Sequence, residues 1–149
     1  MHYDRDEGPW AGEPDRKQWI DQATGLDCLI VRNTEAGNLC GYVGVPPGHP
    51  AHGKEYGHDD YKFFGAVEVH GGLTYSDKCA GHICHEPEPG REHDIWWLGF
   101  DCGHHMDVIP AMRTRGDWPD DYATYKDIGY VENECARLAR QLKAMEVAP

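Results

Sequence analysis

No stretch of the 149 residues is apolar for long enough to span a bilayer, which takes roughly 20 residues. The opening Met1-His2-Tyr3-Asp4-Arg5-Asp6-Glu7 offers neither a basic stretch nor an apolar one, so it does not read as a secretory signal. The glycosylation triplet Asn-x-Ser/Thr does not occur. There is no Walker A loop, no dinucleotide-binding glycine fingerprint, no G-x-S-x-G elbow and no H-E-x-x-H helix. His85-Glu86-Pro87-Glu88-Pro89 begins like the last of these, but its prolines forbid the helix that motif needs. Basic side chains are scarce as well: 14 Lys and Arg stand against 26 Asp and Glu, a net charge of −12. Such a surface repels phosphate backbones and argues against broad nucleic-acid binding. It suits a small-molecule ligand or a basic protein surface as partner, with no membrane.

Six cysteines (28, 40, 79, 84, 102, 135) without an export signal read as thiols or metal ligands of a cytoplasmic protein, not as disulfides. With 18 Gly and 10 Pro, the chain has the length of one domain, with a modest core and long, well-punctuated loops. Residues 1–18 read as a flexible arm, with Trp10 and Trp19 as its anchors, ahead of a single domain over 19–149.

Leu26–Asn33 and Asn38–Val45 are β-type runs around a Thr34–Gly37 turn, hence a hairpin. Phe63–His70 alternates as a further strand that Gly71-Gly72 breaks. Ser76–Asp94 reads as a polar loop, and Ile95–Cys102 is the strongest strand. A helix is expected from about Tyr125 to Met145, capped by Thr124, with Ile128, Val131, Cys135, Leu138, Leu142 and Met145 as its apolar stripe. The fold class is α+β: a small, mostly antiparallel sheet with the C-terminal helix packed on one face.

Two clusters could carry chemistry. His70 and Asp101 end two strands, and alternation sets Glu68, His70 and Asp101 on the face opposite Val67 and Val69. If the strands are neighbours, His70, Asp101, His104 and Asp107 converge as ligands for zinc or manganese, and Glu68 is the base for a bound water. The other cluster is Cys79-x-x-His82-x-Cys84-His85, a zinc-type spacing that Cys102 or His104 could complete. A Cys102–His104 nucleophilic pair is also conceivable, although Cys102 falls on the apolar face, where packing or a metal is the better reading. His49, His52 and His58 read as exposed loop histidines ahead of cleft ligands.

Leu39-Cys40-Gly41-Tyr42-Val43-Gly44-Val45-Pro46, His70-Gly71-Gly72-Leu73-Thr74-Tyr75, Trp96-Trp97-Leu98-Gly99-Phe100-Asp101-Cys102-Gly103-His104 and Tyr130-Val131-Glu132-Asn133-Glu134-Cys135 resemble the phrases of a family of small hypothetical bacteriophage proteins, over about Trp19 to Leu142. His105 stands where the family pattern has a small residue. The resemblance implies phage origin, the host bacterial cytoplasm, and action against host defence. Such action would degrade or sequester a nucleotide signal or dock on a defence protein. The expected function is a metal-dependent hydrolase of a phosphodiester or nucleotide-type small molecule. Its catalytic residues would be Glu68, His70, Asp101 and His104. The alternative is a non-catalytic acidic inhibitor that sequesters a signal molecule or docks on a host protein.

Overall fold

The computed structural model describes residues 6–54, 65–79, 83, 94–114 and 123–146. His58, His82, Cys84, His85 and the Pro-rich run 86–90 lie outside them.

Five strands form one antiparallel sheet: β1 (Arg16–Ile20), β2 (Asp27–Arg32), β3 (Leu39–Val45), β4 (Tyr75–Lys78) and β5 (Trp96–Asp101), in the order β1-β2-β3-β5-β4. A short helix α1 (Pro110–Thr114) precedes the long C-terminal helix α2 (Ile128–Met145), which packs across β3 and β2. The α+β class expected from the sequence is the class observed. Among the described residues, no helix is long and apolar enough to cross a membrane.

The β2–β3 hairpin turns on Asn33, whose side-chain Oδ1 accepts the amides of Glu35 (2.9 Å) and Ala36 (2.8 Å). Gly37, at φ 88°, closes the turn in a conformation open to glycine. Where β3 and β5 pair, a glycine on one strand repeatedly faces an aromatic on the other. A Cβ at Gly41 would sit 2.5 Å from the Phe100 ring, and one at Gly99 would sit 2.2 Å from the Tyr42 ring. Since Gly41 pairs with Phe100 and Tyr42 with Gly99, each aromatic lies across the glycine opposite it.

The helix side of the sheet carries the main core: Cys28, Ile30, Val43, Val45, Leu98 and Phe100 against Val131, Cys135, Leu138, Ala139 and Leu142. A smaller cluster of Leu29, Tyr42, Ile95 and Trp97 covers the other face. The helix begins at Ile128, three residues later than the sequence suggested, and its cap is Asp127, not Thr124. The Asp127 carboxylate accepts the Tyr130 amide at 2.9 Å. Glu13 reaches over from the N-terminal segment and accepts the Ile128 amide at 2.8 Å, satisfying a second exposed donor of the first turn.

Three expectations need correction. The segment before residue 19 is held, since Trp10 is buried and β1 already starts at Arg16. The cause is Arg32, only 3% exposed, whose Nε donates to Asp15 (2.8 Å) and whose Nη2 donates to Glu13 (3.3 Å) and to the Pro14 carbonyl (3.2 Å). A guanidinium so deeply buried requires those acceptors. Tyr75–Lys78 is an edge strand, although its sequence reads as polar loop, because an edge strand is held by backbone hydrogen bonds to one neighbour and tolerates charged side chains such as Asp77 and Lys78. Residues 67–70 are not a strand. Val67 and Val69 point into the core and Glu68 is exposed, as alternation requires, but the hydrogen bonds of the segment go to helix side chains. Gln141 accepts the Glu68 amide (2.8 Å) and donates to the Glu68 carbonyl (2.6 Å), and Glu134 accepts the His70 amide (2.8 Å). Extended backbone needs a partner, not necessarily another strand.

Candidate functional site

Tyr130, Glu134, Arg137 and Gln141 recur along α2 at spacings of four, three and four, forming a polar stripe beside the apolar one. Segment 67–70 lies along this stripe, and its last residue, His70, enters a cluster at the N-terminal end of the helix. Asp107 comes from the loop after β5. It is 1% exposed, and its Oδ2 accepts from the His104 amide at 3.0 Å.

His70 is fixed from three sides. Its Nε2 lies 2.8 Å from Asp107 Oδ2 and 3.0 Å from Oδ1, its Nδ1 lies 2.7 Å from the Tyr130 hydroxyl, and its amide donates to Glu134. A carboxylate only accepts, so the ring proton is assigned to Nε2, and Nδ1 accepts from the Tyr130 O–H. Lys126 Nζ is 3.2 Å from Asp107 Oδ1 and 5.7 Å from the centre of the Tyr130 ring, and it offsets part of the buried negative charge. Burial, then Glu134, pushes the Tyr130 hydroxyl above its usual pKa, so it remains a proton donor at neutral pH.

His104 stands beside this group, its ring centre 6.1 Å from that of His70. Its Nε2 is 3.4 Å from Asp101 Oδ1, but without hydrogen-bond alignment, and has no hydrogen-bond partner among the described residues. Asp101 is anchored by the Gly103 amide (2.9 Å) and more loosely by the Thr74 hydroxyl (3.3 Å).

Of the residues singled out in the sequence, His70, Asp101, His104 and Asp107 do come together, but as two pairs: His70 with Asp107, and His104 with Asp101. The faces differ from expectation, because His70 turns toward α2 while Asp101 points to the opposite side of the sheet with Gly99 and Trp97. Among the described residues, no three His, Cys, Asp or Glu side chains are arranged to hold a metal ion. The physical reason at His70 is that both ring nitrogens already engage Asp107 and Tyr130. Glu68 is exposed and faces Arg137 at 3.7 Å. Cys102 is buried in the main core, where desolvation holds its thiol protonated. Cys79 is disulfide-bonded, which corrects the reading of that cysteine as a thiol and withdraws its sulfur as a thiolate ligand, whereas Cys28, Cys40, Cys102 and Cys135 are free thiols. The rest of that expected zinc set, His82, Cys84 and His85, lies outside the described residues.

His49 is buried, not an exposed loop residue. Its Nε2 is 2.7 Å from the Leu142 carbonyl and its Nδ1 accepts the Ala51 amide at 2.9 Å, which ties the loop after β3 to the C-terminal turns of α2. His52 lies 3.1 Å from the Asp94 carbonyl, beside Trp96. Sequence reading missed Tyr130, Glu134 and Lys126. The available signal was the polar i, i+4 pair Tyr130/Glu134 flanking Val131 and Cys135 on the buried side of the helix.

No protein-family model, curated protein or solved structure matches the chain.

Proposed function

We propose that the protein is a hydrolase of a small phosphodiester or nucleotide-type molecule, with His70 as its proton-transfer residue. The observation that carries this reading is the line Asp107–His70–Tyr130, in which a buried carboxylate orients an imidazole whose other nitrogen meets a hydroxyl near the surface. A carboxylate in that place fixes the tautomer and stabilises the imidazolium that forms when Nδ1 takes a proton. A water donating to the Tyr130 oxygen gives up its proton there as Tyr130 passes its own to His70. Met106, at φ 75° and exposed between His105 and Asp107, adds a strained backbone of the kind that gathers at working sites.

A chain of net charge −12 repels an anionic substrate, and a divalent ion would offset that charge. His104 and Asp101 are the residues that would hold it, zinc or manganese, together with substrate oxygens and in place of a full protein cage. In a phage setting the substrate would be a nucleotide signal of host defence.

The test is turnover. Cyclic and linear nucleotides are incubated with the protein plus zinc, manganese or chelator, and the products are separated by chromatography. Product in excess of protein, lost in His70→Gln, supports the reading. Ligand bound stoichiometrically and released intact on denaturation replaces it with a sequestering module.

A further inference from the structure

Beyond the His70 cluster, the other face of the sheet holds a cleft of about 440 Å³, within the range of small-molecule sites. Its floor is Tyr42, which lies flat across Gly99 because no side chain there lifts it off the sheet. Tyr75 stands against Tyr42 edge to face, with ring centres 5.5 Å apart. Asn33 and Asn38 bring carboxamides to the wall, and Thr74 and Asp101 close one end. Among the described residues that line the cleft, none is cationic. Asp101 is the residue common to the cleft and to the histidine cluster.

These groups define a ligand. Two perpendicular aromatic rings suit a planar heterocycle, which stacks on one face and meets an edge. Asp101 only accepts. Its Oδ1 already faces the Gly103 amide (2.9 Å) and His104 Nε2 (3.4 Å), whereas among the described residues its Oδ2 holds only the long contact with Thr74 (3.3 Å). One more N–H donor is therefore wanted at Oδ2. Asn33, whose Oδ1 is held by the turn amides, can turn its NH2 toward a ring nitrogen, while the buried Asn38 directs its own at Cys40. A phosphate is unwelcome inside a cleft whose described lining holds a carboxylate and no cation.

We propose that this cleft binds an aminated nucleobase of the adenine type, its ring against Tyr42 and Tyr75 and its exocyclic amine donating to Asp101. The proposal goes beyond the hydrolase reading and does not rest on it, because a base whose amine meets Asp101 turns its ribose away from the His70 cluster.

The experiment titrates the full chain by calorimetry with adenosine and with purine riboside, which has the same ring without the amine. Neither carries a phosphodiester, so binding is read apart from reaction. Adenosine should bind about tenfold more tightly or better, which is what one hydrogen bond to a charged group is worth. Asp101→Ala, checked for an unchanged circular-dichroism spectrum, should abolish that difference. His70→Gln should leave both affinities alone. Equal affinities in the wild type, no binding of adenosine, or a preference that survives Asp101→Ala would each overturn the proposal. Intact adenosine binding without nucleotide turnover would instead count against the hydrolase reading alone.

Discussion

The ring of His104 occupies the space that a side chain at Gly71 would take: a Cβ there would stand 2.2 Å from Cδ2 and 2.4 Å from Nε2. Gly71 also sits at φ 67°, a left-handed conformation in which a side chain costs about 1–2 kcal/mol. Gly71→Ala should therefore lose about that much stability in a urea titration and displace the His104 ring. The sharper readout is the imidazole NMR spectrum, where the His104 signals should move. A variant with wild-type His104 signals would show that the ring does not depend on this vacancy.

Asp107 organises more of the site than any other side chain, accepting from the His104 amide and facing the His70 ring and Lys126. Asp107→Asn keeps the shape but offers an NH2 to one of those donors. The cost should be about 3–5 kcal/mol, as for other broken buried ion pairs. Tyr130→Phe is the milder test. It removes only the hydroxyl, so about 1 kcal/mol should be lost while the pH profile of any turnover shifts, since His70 Nδ1 loses its donor. Equal stability losses in the two variants would mean that Asp107 is an ordinary surface carboxylate in solution.

The stripe on α2 is core. Leu138 is fully buried, so Leu138→Ala should cost about 2–5 kcal/mol in chemical denaturation. A loss under about 1 kcal/mol would place that face elsewhere than against the sheet. This element was legible because its period of three and four is a local property, and the hairpin was legible for the same reason. The strand at Arg16–Ile20 was not. Its polar edge residues carry no alternation, and the ion pairs of Arg32 with Glu13 and Asp15 that hold its approach join residues 17 and 19 positions apart. His70, Asp101, His104 and Asp107 were legible as a neighbourhood, since strand ends gather loops at one side of a sheet. Their division into pairs was not, because segment 67–70 takes its hydrogen bonds from Glu134 and Gln141 on the helix, 64 and 73 positions away.

The buried thiols make the protein sensitive to alkali. Desolvation, with nearby Asp21 and Asp27, pushes Cys28 from the ordinary 9.0 to about 12, and desolvation with Asp101 pushes Cys40 to about 11. In each case the fold favours the protonated form. A folded pKa above the unfolded one contributes stability that is complete below pH 9 and is lost as pH rises through 11 to 12. Denaturation midpoints should thus be flat from neutrality to about pH 9 and fall beyond it. Cys28→Ala and Cys28→Ser should both reduce this dependence, because neither side chain ionises in this range, while the buried hydroxyl of the serine lowers stability at every pH. Thiol labelling at pH 8 gives the kinetic counterpart. Cys28, Cys102 and Cys135, all buried, should label only as fast as the protein opens, and half-exposed Cys40 ahead of them. Rapid labelling of Cys28 or Cys135 in the folded protein, at the rate of a free thiol, would mean that α2 does not seal the sheet.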